Sequence, residues 1–511
     1  QLNGTGIDLM KMATPGYDTI NEWIEKNVYE GETIGFDGNC YSVNQYKELL
    51  NISKKNNFNI KMDKDLLEEV WENRPSLPKS KIFIHDVKYC GKTANEKLKA
   101  VRLVMKEKNV ESYLLTSLDD IAWLFNIRGN DVLFNPVALS YSIITDTEAK
   151  LFIDKSKVNK EVEDELKLQG IEVFEYLEIE EEIKKLNGKV LIDPAKVNAK
   201  LYSLLKCEIK EEVNLTTNLK AIKNNVEIES LKNCHIKDGV AMVKFIKYLR
   251  DNIGKEKITE LSASKVLTEL RSKEELAMGD SFGTIAGYKE HAAMMHYSAT
   301  EESAYELKEE GLFLVDSGGQ YLDGTTDITR TFVLGNITEE KRDFTLVLKG
   351  HINLANAKFL KGATGGNLDV LARGPLWQYG LDYKCGTGHG VGFFLNVHEG
   401  PQGIRPYGNN VVLDPGMILT NEPGVYKEGK FGIRIENIMV VVREESNDCG
   451  EFYRFETISY CPIDLNGVDV TLLNNDEKEW LNNYHKKVYE KLSPYLNNEE
   501  KELLKIETRE I

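Results

Sequence analysis

The stretch Leu312-Phe-Leu-Val-Asp316-Ser-Gly-Gly-Gln-Tyr-Leu-Asp-Gly-Thr-Thr-Asp327-Ile-Thr-Arg-Thr-Phe-Val-Leu334 places two aspartates, 327 − 316 = 11 residues apart, inside apolar runs. Runs of this kind on either side of a glycine-containing turn predict an antiparallel pair, with both carboxylates facing one side of the sheet. Left to themselves, two such carboxylates repel and one of them keeps a proton. The stretch therefore calls for a positive partner.

The same pattern recurs downstream. Gly386-Thr-Gly-His389-Gly-Val-Gly392 sets an imidazole among glycines, which allow close backbone approach, and His398 follows in Leu395-Asn-Val-His398-Glu399-Gly400. Met417-Ile-Leu-Thr-Asn-Glu422-Pro-Gly424 ends a strand in Glu, and Phe431-Gly-Ile-Arg434-Ile-Glu436-Asn-Ile-Met-Val-Val-Val442 sets another Glu, with Arg434 on the same strand face, into an apolar strand. Five of the eight histidines (His291, His296, His351, His389 and His398) fall in this region. Asp316, Asp327, Glu422 and Glu436 carry four negative charges, which two divalent cations balance, with neutral His389 as a fifth ligand. Hard oxygen donors with one imidazole favour Mn²⁺, Co²⁺ or Fe²⁺ over a thiolate-bound structural zinc. Two such ions acidify a bridging water into hydroxide at neutral pH.

Outward from this region, a long helix is expected from Val226, Ile228, Leu231, Val240, Val243, Ile246 and Leu249, ending by Gly254. A closing amphipathic helix is expected over Asp476 to Leu496. Towards the amino terminus two segments look like copies. Gly31-Glu-Thr-Ile-Gly-Phe-Asp37 leads into Val43-Asn44 and the helical pattern Tyr46, Leu49, Leu50; Gly188-Lys-Val-Leu-Ile-Asp193 leads into Val197-Asn198 and Leu201, Leu204, Leu205. The aspartates are 193 − 37 = 156 residues apart. Each copy reads as a strand ending in Asp, a turn and a helix. The second copy is expected to begin near Lys97 with a helix (Leu98, Val101, Leu103, Val104) before the strand Ser112 to Leu115; by the offset, the chain begins inside its first copy. The linker Asn73-Arg-Pro-Ser-Leu-Pro-Lys-Ser80 separates them through Pro75 and Pro78. The expected division is 1–78, 79–215 and 216–511, an α/β (α+β) chain of two tandem α/β modules and a larger third domain.

Composition narrows the function classes. The chain has 511 residues, 65 basic and 82 acidic side chains and a net charge of −17. That surplus opposes a phosphate backbone, and no Lys/Arg block with interleaved aromatics occurs, so nucleic acid is not an expected partner. No apolar run approaches the roughly 20 residues that span a bilayer. Apolar residues at 41% and charged residues at 29% are ordinary globular usage. Seven scattered cysteines without a C-x-x-C pair point to a reduced, cytoplasmic chain. Because it starts at Gln1 without an initiator Met, a processed or excised fragment is expected.

The motifs Asp316-Ser-Gly, Thr-Thr-Asp327, Gly-Thr-Gly-His389-Gly, Asn-Glu422-Pro-Gly and Arg434-Ile-Glu436-Asn, in this order, resemble the catalytic domain of the aminopeptidase P (Xaa-Pro aminopeptidase) family, which has the pita-bread fold. Thr116-Ser-Leu-Asp-Asp-Ile-Ala-Trp123-Leu-Phe-Asn-Ile-Arg128-Gly resembles the middle domain of the three-domain eukaryotic form, and the resemblance fades in the first 80 residues. It implies two creatinase-like amino-terminal α/β domains, the first incomplete, before a pita-bread metallopeptidase domain. It implies Asp316, Asp327, His389, Glu422 and Glu436 as ligands of a dinuclear, usually manganese, centre. It also implies His296 and His398 as substrate-binding residues, with Arg434 at the substrate, and Glu422 as the proton shuttle to the imino nitrogen that leaves. A peptide with proline at position two and a homodimer follow from the same resemblance, while the lack of a bilayer-length apolar run gives no membrane partner.

Cys385 stands where many relatives carry a second His and reads as a small apolar filler; His291 has no counterpart and reads as a surface or loop residue. The alternatives on the same fold are prolidase, which cuts Xaa-Pro dipeptides, methionine aminopeptidase and a catalytically dead binding module. Two amino-terminal modules oppose the methionine enzyme, the middle-domain motif opposes prolidase, and five retained ligands oppose the dead module.

Overall fold

In the computed structural model, which describes residues 2, 4–12 and 14–511, the two copies are present as strand–helix–strand units. The parallel strands Thr33–Gly35 and Asn59–Lys61 bracket the helix Val43–Asn56, and Lys189–Ile192 and Glu208–Glu211 bracket the helix Ala199–Leu204 in the same way. Each copy starts its helix by the same chemistry. Ser42 accepts from the Gln45 amide and Asn198 from the Leu201 amide, satisfying orphan N–H groups of the first turn. Asp37 Oδ1 accepts from the Asn39 amide and Asp193 Oδ1 from the Ala195 amide, which turns the chain after each strand. The copies also touch: Val43 N–H donates to Val197 O at 3.0 Å, and Ala199 N–H donates to Tyr41 O at 2.8 Å. Since 199 − 43 and 197 − 41 both equal 156, each of these bonds is the other one seen from the opposite copy.

Both copies lie in one compact unit, Gln1–Phe83, Ala94–Phe125 and Ala138–Thr216. Its main sheet runs in the order Glu208–Glu211, Lys189–Ile192, Ser112–Leu115, Ser140–Thr145, Ala149–Ile153, Glu172–Phe174. The helix Ala94–Glu107 precedes Ser112–Leu115, as the sequence predicts.

The second unit comprises Ile84–Thr93, Asn126–Val137 and Thr217–Ile511. The expected hairpin is there: Leu312–Ser317 pairs antiparallel with Ile328–Val333, Asp316 opposite Thr329, and Ile285–Tyr288 adds a third strand. The helices Asn225–Asn252 and Glu260–Ser272 cover this sheet, packing Phe245, Ile246, Leu249 and Leu267 against Phe313, Val315 and Phe332. A second sheet (Lys358–Leu360, Gly450–Thr457, Asn437–Asn447, Ile418–Asn421) is backed by Glu339–Ala355 and Gly365–Trp377 through Leu354, Leu368 and Ala372 on Leu419, Met439 and Val441. Burial of such side chains stabilises by about 1.5–3 kcal/mol each.

The closing helix differs from expectation. It spans Asn475–Leu492, gives way to a 3₁₀ turn at Ser493–Tyr495 and is followed by a further helix, Asn498–Glu507. Pro494 explains the break, because it has no N–H to give to the carbonyl of Glu490 and its ring crowds that carbonyl. No helix among the described residues is long and apolar enough to cross a membrane.

Two strands of the second sheet carry an interruption. Ile418–Asn421 pairs with Asn437–Asn447, ending at Asn421 opposite Asn437, and pairing resumes at Gly424 opposite Arg434. Between the two ladders lie Glu422-Pro423 on one side and Ile435-Glu436 on the other. Proline has no N–H to give to a ladder, so the sheet opens there and both glutamates lie in the gap.

Candidate metal centre

Glycines set the close approaches that aim the acids. A Cβ on Gly318 would lie 2.0 Å from Thr326 O, and one on Gly388 would lie 2.1 Å from Thr420 O, so neither position accepts another residue without moving the backbone beside Asp316 or His389. Asp327, His389 and Glu436 each bring one ligand atom within 4.8 Å of the others. His389 Nε2 lies 3.5 Å from Asp327 Oδ2 and 3.6 Å from Glu422 Oε1. Its Nδ1 faces Gly390 O at 2.9 Å, and a carbonyl only accepts, so Nδ1 carries the proton and the Nε2 lone pair points at the acids. Thr420 Oγ1 receives the His389 amide at 3.0 Å and donates to Glu422 Oε1 at 3.2 Å; Thr329 Oγ1 donates to Glu436 Oε2 at 2.8 Å. These neighbours fix the direction of each candidate ligand.

All five residues line one cavity of about 710 Å³, together with His296, His398 and Arg434. The structure thus brings together every site residue expected from the sequence. Arg434 is buried and its donors are engaged: Nε to Thr329 Oγ1 at 3.1 Å, Nη1 to the Tyr426 hydroxyl at 2.6 Å, and Nη2 to Asp316 Oδ2 at 2.5 Å. The other Asp316 oxygen, Oδ1, is buried with no hydrogen-bond partner. The rings of His389 and His398 meet edge to face, centroids 4.2 Å apart. Arg128 donates to Phe394 O at 2.6 Å and Phe393 O at 3.0 Å, holding the chain that leads to His398.

Electrostatics shows which ligands the cavity suits. Burial, then the charges of Asp316 and Glu422, hold Asp327 well above the usual carboxylate range; burial, then Asp327, Glu422 and Asp316, do the same for Glu436. Burial also raises Glu422, although His389 and Arg434 pull it down. Ionised together, the four carboxylates would outnumber the two guanidinium groups of the cavity, buried Arg434 and exposed Arg405, in a low-dielectric site. With the orphaned Asp316 oxygen and the oriented imidazole, this donor set fits divalent cations. Asp327, His389 and Glu436 already lie within mutual ligand distance, and Asp316 and Glu422 line the same cavity. Burial, then the neighbouring His389, pushes His398 down to about 4, so it is a neutral donor at pH 7. Burial, then Glu422, pushes the Cys385 thiol up to about 11, and its side chain packs on the domain core, in keeping with a filler rather than a nucleophile.

Tyr426, Thr329 and Thr420 are site residues that sequence reading did not single out. Thr329 had a signal, since it lies two residues from Asp327 on the same strand face. Phe134, at φ 67° and on the cavity wall, had none.

His291 corrects an expectation. It is neither a surface nor a free loop residue: its ring is stacked between Tyr305 (3.8 Å) and Tyr297 (4.4 Å), and Nδ1 lies 3.0 Å from Glu260 Oε1. Glu260 is fully buried and also accepts from the amides of Tyr288 at 2.7 Å and Tyr305 at 2.8 Å. This cluster clamps both sides of the segment that carries His296. Glu260→Gln weakens a charged acceptor shared by several donors. It is expected to raise KM for a peptide substrate about tenfold and leave bound metal unchanged; loss of metal without a KM change counts against the clamp.

Comparison with known proteins agrees with this geometry. Residues 73–227 match the Creatinase/Prolidase N-terminal domain, residues 229–443 match Metallopeptidase family M24, and residues 451–511 match the C-terminal region of the M24 peptidases. Fold and acid–histidine cluster are those of an M24 metallopeptidase with the pita-bread domain. Aminopeptidase P2 of Arabidopsis thaliana is 39% identical, the match covering 97% of this chain and 76% of the relative. Xaa-Pro aminopeptidase 1 of Dictyostelium discoideum is 38% identical over 96% and 81% of the two chains. The crystal structure of X-prolyl aminopeptidase from Caenorhabditis elegans, described as a cytosolic enzyme with a di-nuclear active site, superposes with a TM-score of 0.93 at 33% identity, covering 100% of this chain and 86% of that one. The chain belongs to the aminopeptidase P family.

Proposed function

We propose that this protein is a metal-dependent aminopeptidase that hydrolyses the bond between an amino-terminal residue and a following proline in Xaa-Pro-Yaa peptides. The observation that carries the reading is the single cavity lined by three buried acids, the partly buried Glu422, a tautomer-fixed imidazole, His296 and His398. Asp316, Asp327, His389, Glu422 and Glu436 would hold two divalent ions, which we take to be Mn²⁺ and which would supply the Lewis acidity that brings a water's pKa near neutrality. The di-nuclear site of the nematode relative supports two ions. The neutral His398 donates an N–H to the scissile carbonyl as negative charge develops on its oxygen, and His296 at the cavity wall steadies the same group. Glu422, raised by burial, accepts the proton of the attacking water and passes it to the proline nitrogen, which leaves poorly unless protonated. Arg434 keeps Asp316 in place and borders the substrate space.

The proposal extends to a cytoplasmic homodimer and to the division 1–78, 79–215 and 216–511, which the family matches at 73–227 and 229–443 support in part. The Mn²⁺-loaded protein is expected to release arginine from Arg-Pro-Pro and to leave Met-Ala intact. Cleavage of Ala-Pro with none of Arg-Pro-Pro would overturn the reading in favour of a dipeptidase.

A further inference from the structure

We propose that His351 is a positioning residue that locks Glu422 and Glu436 in register from behind the sheet. The inference rests on the metal reading above, and concerns a histidine outside the five ligands. His351 lies on the helix Glu339–Ala355 and is fully buried. Its Nδ1 faces Asn421 O at 3.1 Å, and the Asn437 Nδ2 amide faces its Nε2, also at 3.1 Å. A carbonyl can only accept and an NH₂ can only donate, so the ring carries its proton on Nδ1 and accepts at Nε2. Asn421 Nδ2 returns a bond to His351 O at 2.9 Å.

These two asparagines are the last paired residues before the ladder opens, and the next residue inward on each strand is a glutamate of the centre. One imidazole therefore ties together both strand ends from which Glu422 and Glu436 project. The arrangement has no slack. Asn437 Oδ1 is held by Arg330 Nη2 at 2.8 Å and the Tyr484 hydroxyl at 3.3 Å, so its amide cannot flip, and Arg330 Nη1 also binds Glu436 O at 2.5 Å. Burial, then the charge of Arg330, pushes His351 down to about 3, so it stays the neutral ring this pattern needs. Both ring nitrogens are used and the residue does not line the cavity, so it is not itself a ligand.

The test uses the full chain and Mn²⁺ titration of chelator-treated protein, with Arg-Pro-Pro hydrolysis alongside. His351→Phe keeps ring shape and loses both bonds; His351→Gln keeps one donor and one acceptor. His351→Phe is expected to fold, by circular dichroism, and to bind Mn²⁺ about 10–100-fold more weakly, the range found for outer-shell partners. His351→Gln is expected to recover most of that loss. Asn437→Ser, which removes the donor to Nε2, is expected to weaken Mn²⁺ in the same direction and stands in if His351→Phe does not fold. Parental affinity in the folded His351→Phe or in Asn437→Ser overturns the inference, as does a His351→Gln variant no better than His351→Phe. Parental protein that takes up no Mn²⁺ overturns the metal reading itself, a result distinct from variants that match a two-ion parent.

Discussion

Glu436→Gln is expected to abolish peptide hydrolysis while making the metal-free protein more stable than the metal-free parent. Glu436 is 1% exposed, and its pKa is raised by burial and by three neighbouring carboxylates. Glutamine keeps the size and the acceptor for Thr329 Oγ1, so the fold survives, but it removes one of the four acidic groups that crowd the cavity. Loaded protein loses an anionic ligand: Mn²⁺ affinity falls by more than about 100-fold, beyond the range for outer-shell partners. Chelated protein loses a repulsion: its unfolding midpoint at pH 8 rises by about 2–4 °C, the shift that 1 kcal/mol produces in a large domain. Metal titration, Arg-Pro-Pro turnover and thermal unfolding after chelation measure the three effects. Two retained Mn²⁺ equivalents, or a chelated midpoint below the parent's, would contradict the assignment. Opposite signs in the two states distinguish a ligand from an ordinary buried Glu.

The second large effect concerns pH. In the metal-free protein Asp327 and Glu436 are held well above their usual range, by burial first and by the neighbouring acids next. The unfolded chain ionises these groups near pH 4. Between that pH and the raised native values the folded protein holds more protons than the unfolded one, so stability falls as pH rises. Exposed Glu339, lowered to about 2 by its bonds to Lys427 and Lys430, acts only below this window. Buried His351 and His485, each pushed down to about 3 by burial, then Arg330, favour folding as pH rises towards about 6.5, but equally in both metal states. The gap between Mn²⁺-loaded and chelated unfolding midpoints is therefore expected to widen from pH 5 to pH 8 by more than about 5 °C. A gap that stays constant or narrows would show that the four acids do not share one electrostatic site. Metal binding and proton release are two readings of the same linkage.

Much of the centre was legible because its acids break local rules. Asp316 and Asp327 interrupt apolar runs, Glu422 ends one, and His389 sits among glycines, so period-two patterning and turn chemistry were enough to mark them. The strand–Asp–helix repeat was legible for the same reason. The rest depends on contacts that leave no local trace. His351 meets Asn421 and Asn437 across 70 and 86 residues, and His291 sits in a stack whose members look like ordinary loop residues. The resumption of pairing beyond Pro423 is also a property of two distant strands, although the proline itself was in view.

The reciprocal bonds between the copies bear on the order in which the molecule folds. Joining residues 154 (Val43 and Val197) and 158 (Tyr41 and Ala199) apart in an open chain costs about 4.5 kcal/mol of loop-closure entropy, and two backbone hydrogen bonds return about 1 kcal/mol each. The remainder comes from burying Val43 and Val197, but these pack into a cluster with Leu114, Ile143, Phe152 and Ile192, all from the second copy. That cluster must exist before Val43 has anywhere to go. If collapse of the second copy comes first and shortens the effective loop, the first copy docks on a finished surface, and a Val43→Ala variant is expected to speed unfolding while leaving the folding rate nearly unchanged.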